Sequence, residues 1–504
     1  MAVHSTGKAI RNTVVYTAAT VAQKAISFVY FFILSSNLTP GKLGAYTGML
    51  AVASLASIGM DLGLTPLLTR EAAKDEDLAA RKLRAVYSIK APLVLVTLVA
   101  LWIIAPIMIE LTKTEMILLA GASLIISLDA FTSGAYAILR ARQNVNVESR
   151  AILIFQTTVL AGGVTALFLT HDIVFIMTAL VFGSTVNAAY TISRMRKIVG
   201  QGIAPDFDRI AMRETVAQMP AFASAGIFTK IYQQADVVLL RALSGTHAVG
   251  LYSIPAKITT ALQTLIPGAF SAAVYPTMSN YAHTDRSRLA SLFGYTFGVL
   301  YMLSLPIGLF LALLAEPILR LVWPQYVAIA PAMQLMLLAV PFLFLPYATS
   351  SLLNATGREK RNSVNRGIMT AVSVAMNVAL IPFLGVEGAA AAFLVANMLL
   401  LALDLYGLVG QVPLWSAEIQ RFVMGSTLAA TIAAGLGLTV LMVTVAPARG
   451  AELVSLQTLR LFSYIVSVAL LCGVTYVVVL FGSKTILKDD LISLKTMIAK
   501  KGEI

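Results

Sequence analysis

Charged residues are scarce in this chain of 504 residues. Asp, Glu, Lys and Arg make up only 12% of it, whereas 58% is hydrophobic. Soluble globular domains carry about 25% charged residues, and the mean hydropathy of this chain is +0.83. The composition therefore argues against a soluble enzyme and predicts a polytopic membrane protein.

Cysteine is nearly absent, and clustered histidines and phosphate-binding loops are missing. The single Cys472 lies in an apolar run without a partner for an internal disulfide, and we interpret it as a small packed side chain. The 4 histidines are scattered near predicted loops, and the sequence contains no Walker A motif. These absences argue against ATP hydrolysis, metal binding and nucleophilic catalysis. We expect neither an enzyme nor a cofactor or metal.

Long apolar runs occupy most of the chain. A window of about 19 residues detects roughly fourteen segments long enough to cross a bilayer as helices. Basic residues cluster in alternate turns, within 70–84, 140–150, 194–213 and 358–366. The net charge of +13 therefore indicates orientation rather than nucleic-acid binding. By the positive-inside rule, both termini are expected in the cytoplasm of a multi-pass protein of the plasma (inner) membrane.

The sequence repeats itself weakly at an offset of about 206 residues. The tripeptide Gly44-Ala45-Tyr46 corresponds to Gly250-Leu251-Tyr252, and the same offset aligns Lys24 with Lys230. Since six spans per repeat is an even number, the two repeats would share one orientation, related by an axis along the membrane normal. We therefore predict an all-α fold in which two lobes form a pseudo-two-fold repeat. The N-lobe covers residues 1–213 and the C-lobe residues 214–410. Two additional C-terminal spans follow at 411–483, and a cytoplasmic amphipathic tail at 484–504.

Three lysines lie deep inside predicted spans, namely Lys24, Lys230 and Lys257. A lysine at the centre of a bilayer costs about 2.5–3.5 kcal/mol, and its stem is too short to reach water from there. We predict that the three face a wet cationic cavity between the lobes and bind an anionic headgroup, because compact ammonium groups suit a diphosphate. The alternative is that each pairs with a buried carboxylate.

Other polar residues accompany these lysines. Gln233 and Gln234 follow Lys230 at i+3 and i+4 and share its helix face. We predict that they bind sugar hydroxyls, and the alternative is hydrogen bonding between helices. Arg70 is expected at the inner mouth of the cavity. Four carboxylates complete the set, Asp61 and Asp236 as coupling sites or counter-charges, Asp129 and Asp404 as structural partners.

Three stretches of the chain resemble one family of transporters. They are MDLGLTPLLTREAA (60–73), QADVVLLRALSGTHAVGLYSIPAKI (234–258) and LLNATGREK (352–360). The chain resembles the multidrug/oligosaccharidyl-lipid/polysaccharide exporter superfamily over essentially its whole length, and within it the Wzx-type flippases of polysaccharide biosynthesis. The resemblance implies that two lobes rock to give alternating access. It also implies a polyprenyl-diphosphate-linked oligosaccharide as substrate, carried from the cytoplasmic to the outer leaflet.

Three other functions stay open at this point: a lipid II flippase of the related MurJ type, a drug/cation antiporter, and a non-transporting membrane scaffold for glycan assembly. The antiporter is less favoured because the deep charges are mainly lysines, whereas cationic drugs call for carboxylates. The expected partners are the polyprenyl-diphosphate-linked glycan and membrane lipids, with glycan-assembly enzymes as further candidates. We expect a monomer that binds no nucleic acid.

Overall fold

The structure is a computed structural model that describes residues 2–74, 79–199, 207–445 and 454–485. These residues are almost entirely helical and contain no strand. Helices suit long apolar segments because they satisfy every backbone hydrogen bond within the segment. The α-helices are α1 (Ala2–Asn37), α2 (Pro40–Ala56), α3 (Ile58–Asp61), α4 (Leu64–Lys74), α5 (Ala79–Met108), α6 (Lys113–Ala141), α7 (Val145–Thr170), α8 (Ile173–Val199), α9 (Arg209–Gln263), α10 (Ala269–Thr284), α11 (Arg286–Leu313), α12 (Ala315–Val322), α13 (Ala330–Leu338), α14 (Val340–Ala355), α15 (Glu359–Leu408), α16 (Ala417–Val445) and α17 (Val454–Gly482).

Twelve stretches of the described chain are long and apolar enough to cross a membrane. Two of them contain a residue with non-helical backbone, Gly245 (φ 81°) in α9 and Gly385 (φ 54°) in α15. Glycine permits these breaks because it adopts positive φ at little cost. We therefore divide α9 into α9a (209–244) and α9b (246–263). Counting both halves of α9 and α15, the twelve stretches give fourteen spans, and the prediction of an all-α polytopic membrane protein is confirmed.

The chain divides into two compact units, residues 1–257 with 370–389, and residues 258–369 with 390–504. In the first unit, α7 packs against α1 and α8, and α6 packs against α2, α4 and α8. In the second unit, α11 packs against α14 and α16, and α16 packs against α17. The boundaries predicted for the lobes stay a prediction. All but the first two residues of the predicted amphipathic tail lie outside the described residues.

The second unit has an apolar core around its single thiol. Cys472 of α17 is buried beside Ala429, Ala433 and Val468. Its Sγ lies 3.4 Å from the carbonyl oxygen of Ala433. The side chain is thus packed between α16 and α17, where solvent does not reach it.

In the first unit, α2 and α9b come so close together that the contact requires glycine on both helices. A Cβ added to Gly44 would lie 1.8 Å from the carbonyl oxygen of Thr246, and one added to Gly250 would lie 1.8 Å from that of Pro40. Such distances are far below any van der Waals contact, so no other residue fits while the helices keep this separation. The two glycines are the pair that the sequence repeat aligns.

The contact between α2 and α9b is reciprocal, like a contact between two surfaces that a two-fold axis relates. Two hydroxyls on these helices, from Thr47 and Ser253, lie 3.0 Å apart, and their positions differ by 206. Reciprocal contact between equivalent residues is the signature of two-fold related surfaces. The predicted pseudo-two-fold relation therefore has a local counterpart where α2 crosses α9b.

Candidate functional site

The candidate site begins where the second span breaks. There α2 gives way to the four-residue α3, and α4 then continues the span. Between α3 and α4, Leu62 and Gly63 have φ of 40° and 83°. A Cβ on Gly63 would lie 2.7 Å from backbone atoms of Phe222 and Ala223. At this break the chain therefore packs closely against the backbone of α9a.

A cavity of about 1210 Å³ lies beside this break, wholly within the first unit. Pockets for drug-sized ligands measure about 300–1,000 Å³, so this cavity has room for a larger ligand. Hydroxyl groups from α2, α4 and α6 contribute to its wall. The charged and amide side chains on the wall are Asp61, Asp129, Lys230, Gln233 and Gln234.

Lys230 is the predicted lysine that lines this cavity. Its Nζ donates a hydrogen bond to Ser57 Oγ at the break in the second span, and its charge interacts with Asp61 and Asp129. The two glutamines that follow it lie on the same wall, as their spacing predicts. The structure thus brings Lys230, the glutamines and Asp61 together, and the ligand assigned to them stays a prediction.

The ion-pair partner of Asp61 is Lys90 of α5, a residue outside the predicted site. The Nζ of Lys90 lies 2.7 Å from Asp61 Oδ1, and the lysine side chain is 0% exposed. The ammonium also donates to Thr65 Oγ1 and Ser133 Oγ, both at 3.0 Å, and to the carbonyl oxygen of Ala130 at 2.8 Å. This lysine is therefore fully bonded behind the cavity wall.

Sequence reasoning missed Lys90 because this residue follows the basic cluster at 70–84 by only six positions, close to the expected start of a span. In the structure α5 begins at Ala79, which puts Lys90 roughly 16 Å along the helix. No sequence pattern, however, indicates that its partner is Asp61.

Lys24 and Lys257 lie elsewhere in the first unit. The Nζ of Lys257 donates to Ser27 Oγ at 3.1 Å and lies 5.5 Å from the centroid of the Phe31 ring. Ser27 and Phe31 share a face of α1 with Lys24, and the two lysine charges repel each other. In the described part of the chain, no carboxylate forms an ion pair with Lys257. Neither lysine is among the described residues that line the cavity.

Arg70 lies next to the cavity, near the end of α4. Its guanidinium carbon is 4.6 Å from the centroid of Phe222, whose side chain lines the cavity. It donates to Gln218 Oε1 at 2.6 Å and pairs with Glu71 at 2.9 Å. Hydrogen bonds from Lys74 and from Arg70 hold the pKa of Glu71 below its usual range. Nearly half of the Arg70 side chain, 46%, is exposed and available to a ligand.

Asp236 connects the two halves of α9. Its Oδ2 accepts the hydroxyl hydrogen of Tyr252 at 2.5 Å, and its Oδ1 accepts the backbone N–H of Val237 at 2.8 Å. Tyr252 belongs to α9b, so this bond joins the two helices beyond their turn. Asp236 makes no ion pair with Lys257 among the described residues, and whether it acts as a coupling site stays a prediction.

The two carboxylates expected to be structural partners have different surroundings. Asp404, in the second unit, is buried and accepts hydrogen bonds from Thr349 at 2.8 Å, Ser350 at 3.1 Å and Asn365 at 2.8 Å. Asp129, in the first unit, is exposed to the cavity and accepts one bond from Ser184 at 3.4 Å. Asp129 is therefore a candidate site residue.

A second buried ion pair fastens α6 to the end of α9a. Arg241 Nη2 lies 2.7 Å from Glu115 Oε1, and the two side chains are 8% and 3% exposed. Arg241 also donates to the carbonyl oxygen of Glu110 at 2.7 Å, and Thr246 donates to Glu115 at 3.1 Å. The sequence marks Arg241 only as a turn residue. Nothing in the pattern indicates that α6 supplies its partner.

Comparisons with known proteins agree with this architecture. A family model described as polysaccharide biosynthesis protein matches residues 9–282, more than half of the chain, and a second model, MatE, matches residues 221–383. A probable flippase, AglR of Haloferax volcanii, is 30% identical over 172 residues, or 33% of this chain. The match spans 36% of that relative, about a third of its length.

Solved structures share the fold at low sequence identity. The lipid II flippase MurJ, in an inward closed conformation, has a TM-score of 0.70 and 13% identity, covering 91% of this chain and 98% of that one. A multidrug resistance transporter of the MATE family and MOP superfamily, in an inward-facing conformation, has a TM-score of 0.58 and 16% identity. The match covers 76% of this chain and 93% of that one. Together with the family match, these findings identify the chain as a multi-span member of the polysaccharide biosynthesis protein family.

Proposed function

We propose that this protein is a flippase that moves a polyprenyl-diphosphate-linked oligosaccharide from the cytoplasmic to the outer leaflet of the plasma membrane by alternating access. The observation that carries the proposal is a large cavity bearing Lys230 and two glutamines in a polysaccharide biosynthesis protein. An ammonium group suits phosphate, and amides and hydroxyls suit the hydroxyls of a sugar. Transport of this kind needs no catalytic residue and no cofactor.

Within the cavity, Lys230 carries the positive charge that is available to an anion. Lys90 and Asp61 form a pair of opposite charges at 2.7 Å, so their long-range effects largely cancel. The ammonium of Lys230 is bonded to a neutral hydroxyl, that of Ser57. A phosphate would replace this weak acceptor with a charged one, which makes a hydrogen bond roughly twice as strong.

The other predicted residues have distinct places in the proposal. Lys24 and Lys257 repel each other beside α1, and a diphosphate between them would remove that repulsion. Arg70 would meet the headgroup at the rim of the cavity. We place both termini in the cytoplasm on the basis of the basic turns. An inside-negative potential would then favour exit of the anion by about 2.3 kcal/mol per charge per 100 mV.

Lys230→Ala is expected to slow glycan translocation by tenfold or more. A hydrogen bond to a charged group contributes about 1.5–3 kcal/mol, and about 1.4 kcal/mol corresponds to a factor of ten. Lys230→Arg keeps the charge and should retain most of the rate. The rate is measured in proteoliposomes that contain the polyprenyl-diphosphate oligosaccharide, as the glycan that becomes accessible to a glycosidase added outside.

Lys113→Ala is the matched control for this experiment, because Lys113 is exposed at the beginning of α6. An unchanged rate in correctly folded Lys230→Ala protein would contradict the role of Lys230. Parallel vesicles with lipid II distinguish the two flippase activities. Translocation of neither lipid would favour the scaffold.

A cation antiporter is the second candidate, because Asp129 presents a carboxylate to the same cavity. Asp129→Asn separates the two functions. If the protein is a flippase, this variant should keep or raise the rate of glycan translocation, since it removes an anion that competes for Lys230. If it is an antiporter, the variant should lose the resistance to cationic drugs that overexpression of the unaltered chain gives. Drug resistance and glycan export are measured in the same cells.

A further inference from the structure

We propose that the ammonium of Lys90 occupies a monovalent-cation site built into the break of the second span. The chain would thus supply, with its own side chain, a charge that a bound Na⁺ or K⁺ would otherwise provide. This site would lie in the cavity wall whichever substrate the protein carries.

The first observation is the set of atoms around the ammonium. Four oxygens surround Lys90 Nζ at 2.7–3.0 Å, from the carboxylate of Asp61, the carbonyl of Ala130 and the hydroxyls of Thr65 and Ser133. An ammonium has only three hydrogens, so the site offers more oxygens than the lysine can use. Carboxylate, carbonyl and hydroxyl oxygens are the ligands that hard cations prefer, and an ammonium ion is close to K⁺ in size.

The second observation is where these oxygens lie. All four ligating residues line the cavity, whereas Lys90 is not among the described residues that line it and reaches the oxygens from behind the wall. If the lysine were shortened, the vacancy would be open to ions from the cavity. The carbonyl among the four belongs to Ala130 of the continuous helix α6, and the other three oxygens are side-chain atoms.

The third observation is that the ammonium of Lys90 joins three helices. The oxygens around it come from α3, α4 and α6, and α3 and α4 flank the residues with positive φ, Leu62 and Gly63. The same break presents Ser57, the hydrogen-bond partner of Lys230. Lys90 is therefore a positioning residue that fixes the shape of the broken span, without a contact to the substrate.

The test is the cation dependence of Lys90→Ala. The purified variant is unfolded by heat in choline chloride, with increasing NaCl or KCl at constant ionic strength. We expect a low melting temperature in choline that rises with Na⁺ or K⁺ and saturates, because an ion that binds only the folded state stabilises it in this way. The unaltered protein should lack this rise. Binding of radioactive ²²Na⁺ should show one site more in the variant than in the unaltered protein.

Three further variants make the result specific. Lys90→Met fills the space without charge and should show no rescue by cations, and Lys90→Ala/Asp61→Asn should lose the rescue because the carboxylate is gone. Lys230 is the other ammonium that interacts with Asp61, so Lys90→Ala/Lys230→Met tests whether it moves into the vacancy. A rise in melting temperature with Na⁺ or K⁺, in Lys90→Ala alone or in Lys90→Ala/Lys230→Met, supports the proposal. The proposal is overturned if neither Lys90→Ala nor Lys90→Ala/Lys230→Met is stabilised by these cations. It is also overturned if Lys90→Ala fails to fold in every salt while Lys90→Met folds.

Discussion

Arg241→Met is expected to lower the free energy of unfolding by about 3–5 kcal/mol, the cost of removing one partner from a buried ion pair. The variant leaves the carboxylate of Glu115, whose side chain is 3% exposed, without its guanidinium partner. It also leaves the carbonyl of Glu110 without the bond that Arg241 donates at 2.7 Å. Methionine keeps most of the side-chain volume, so the loss is mainly electrostatic.

The measurement is chemical or thermal unfolding of the purified protein in detergent, with two controls. Arg320 forms an exposed ion pair with Glu316 at 2.6 Å, in which the side chains are 59% and 48% exposed. Arg320→Met should therefore cost less than about 1 kcal/mol. Arg241→Met/Glu115→Gln should recover part of the loss, since no buried charge is left without a partner. Equal losses in Arg241→Met and Arg320→Met would show that the buried pair contributes little.

The number of spans could be predicted from the sequence because a bilayer imposes a length and an apolar composition on every helix that crosses it. The repeat also aligns Gly44 with Gly250, which both lie where α2 and α9b touch, although the alignment does not indicate that these two helices are neighbours. Likewise, the spacing of Lys230, Gln233 and Gln234 was sufficient to put them on one wall. Each of these features can be read from the residues of a single helix or from two repeated segments of the sequence.

The ion pairs could not be predicted, because they depend on which helices are neighbours and how each is rotated about its axis. In the sequence, Asp61 could pair with any of the three deep lysines or with a lysine nearer to it in the chain, and only the packing of α3 against α5 selects Lys90. Insertion costs identify a charge that must be satisfied, but they do not identify its partner. The same limit explains why Lys257 was expected beside Lys230, whereas it bonds to Ser27 of α1.

Gly250→Ala is expected to separate α2 from α9b. The added Cβ would lie 1.8 Å from the carbonyl oxygen of Pro40, and a backbone atom cannot turn aside as a side chain does. The helices must therefore move apart by more than an ångström. Overpacking of this kind usually costs about 1–3 kcal/mol. Under the proposed alternating access, the variant should favour conformations in which this contact is open.

Cross-linking measures that separation directly. The hydroxyls of Thr47 and Ser253 are 3.0 Å apart on the same two helices, so Thr47→Cys/Ser253→Cys in a Cys472→Ala chain should form a disulfide readily. Adding Gly250→Ala should slow its formation at least tenfold, because the thiols meet only when the helices close. Gly41→Ala is the control, since a Cβ there would have nothing within 4 Å. If both glycine variants cross-link at the same rate, the helices tolerate the extra methyl without opening. The close crossing would then accommodate alanine at position 250.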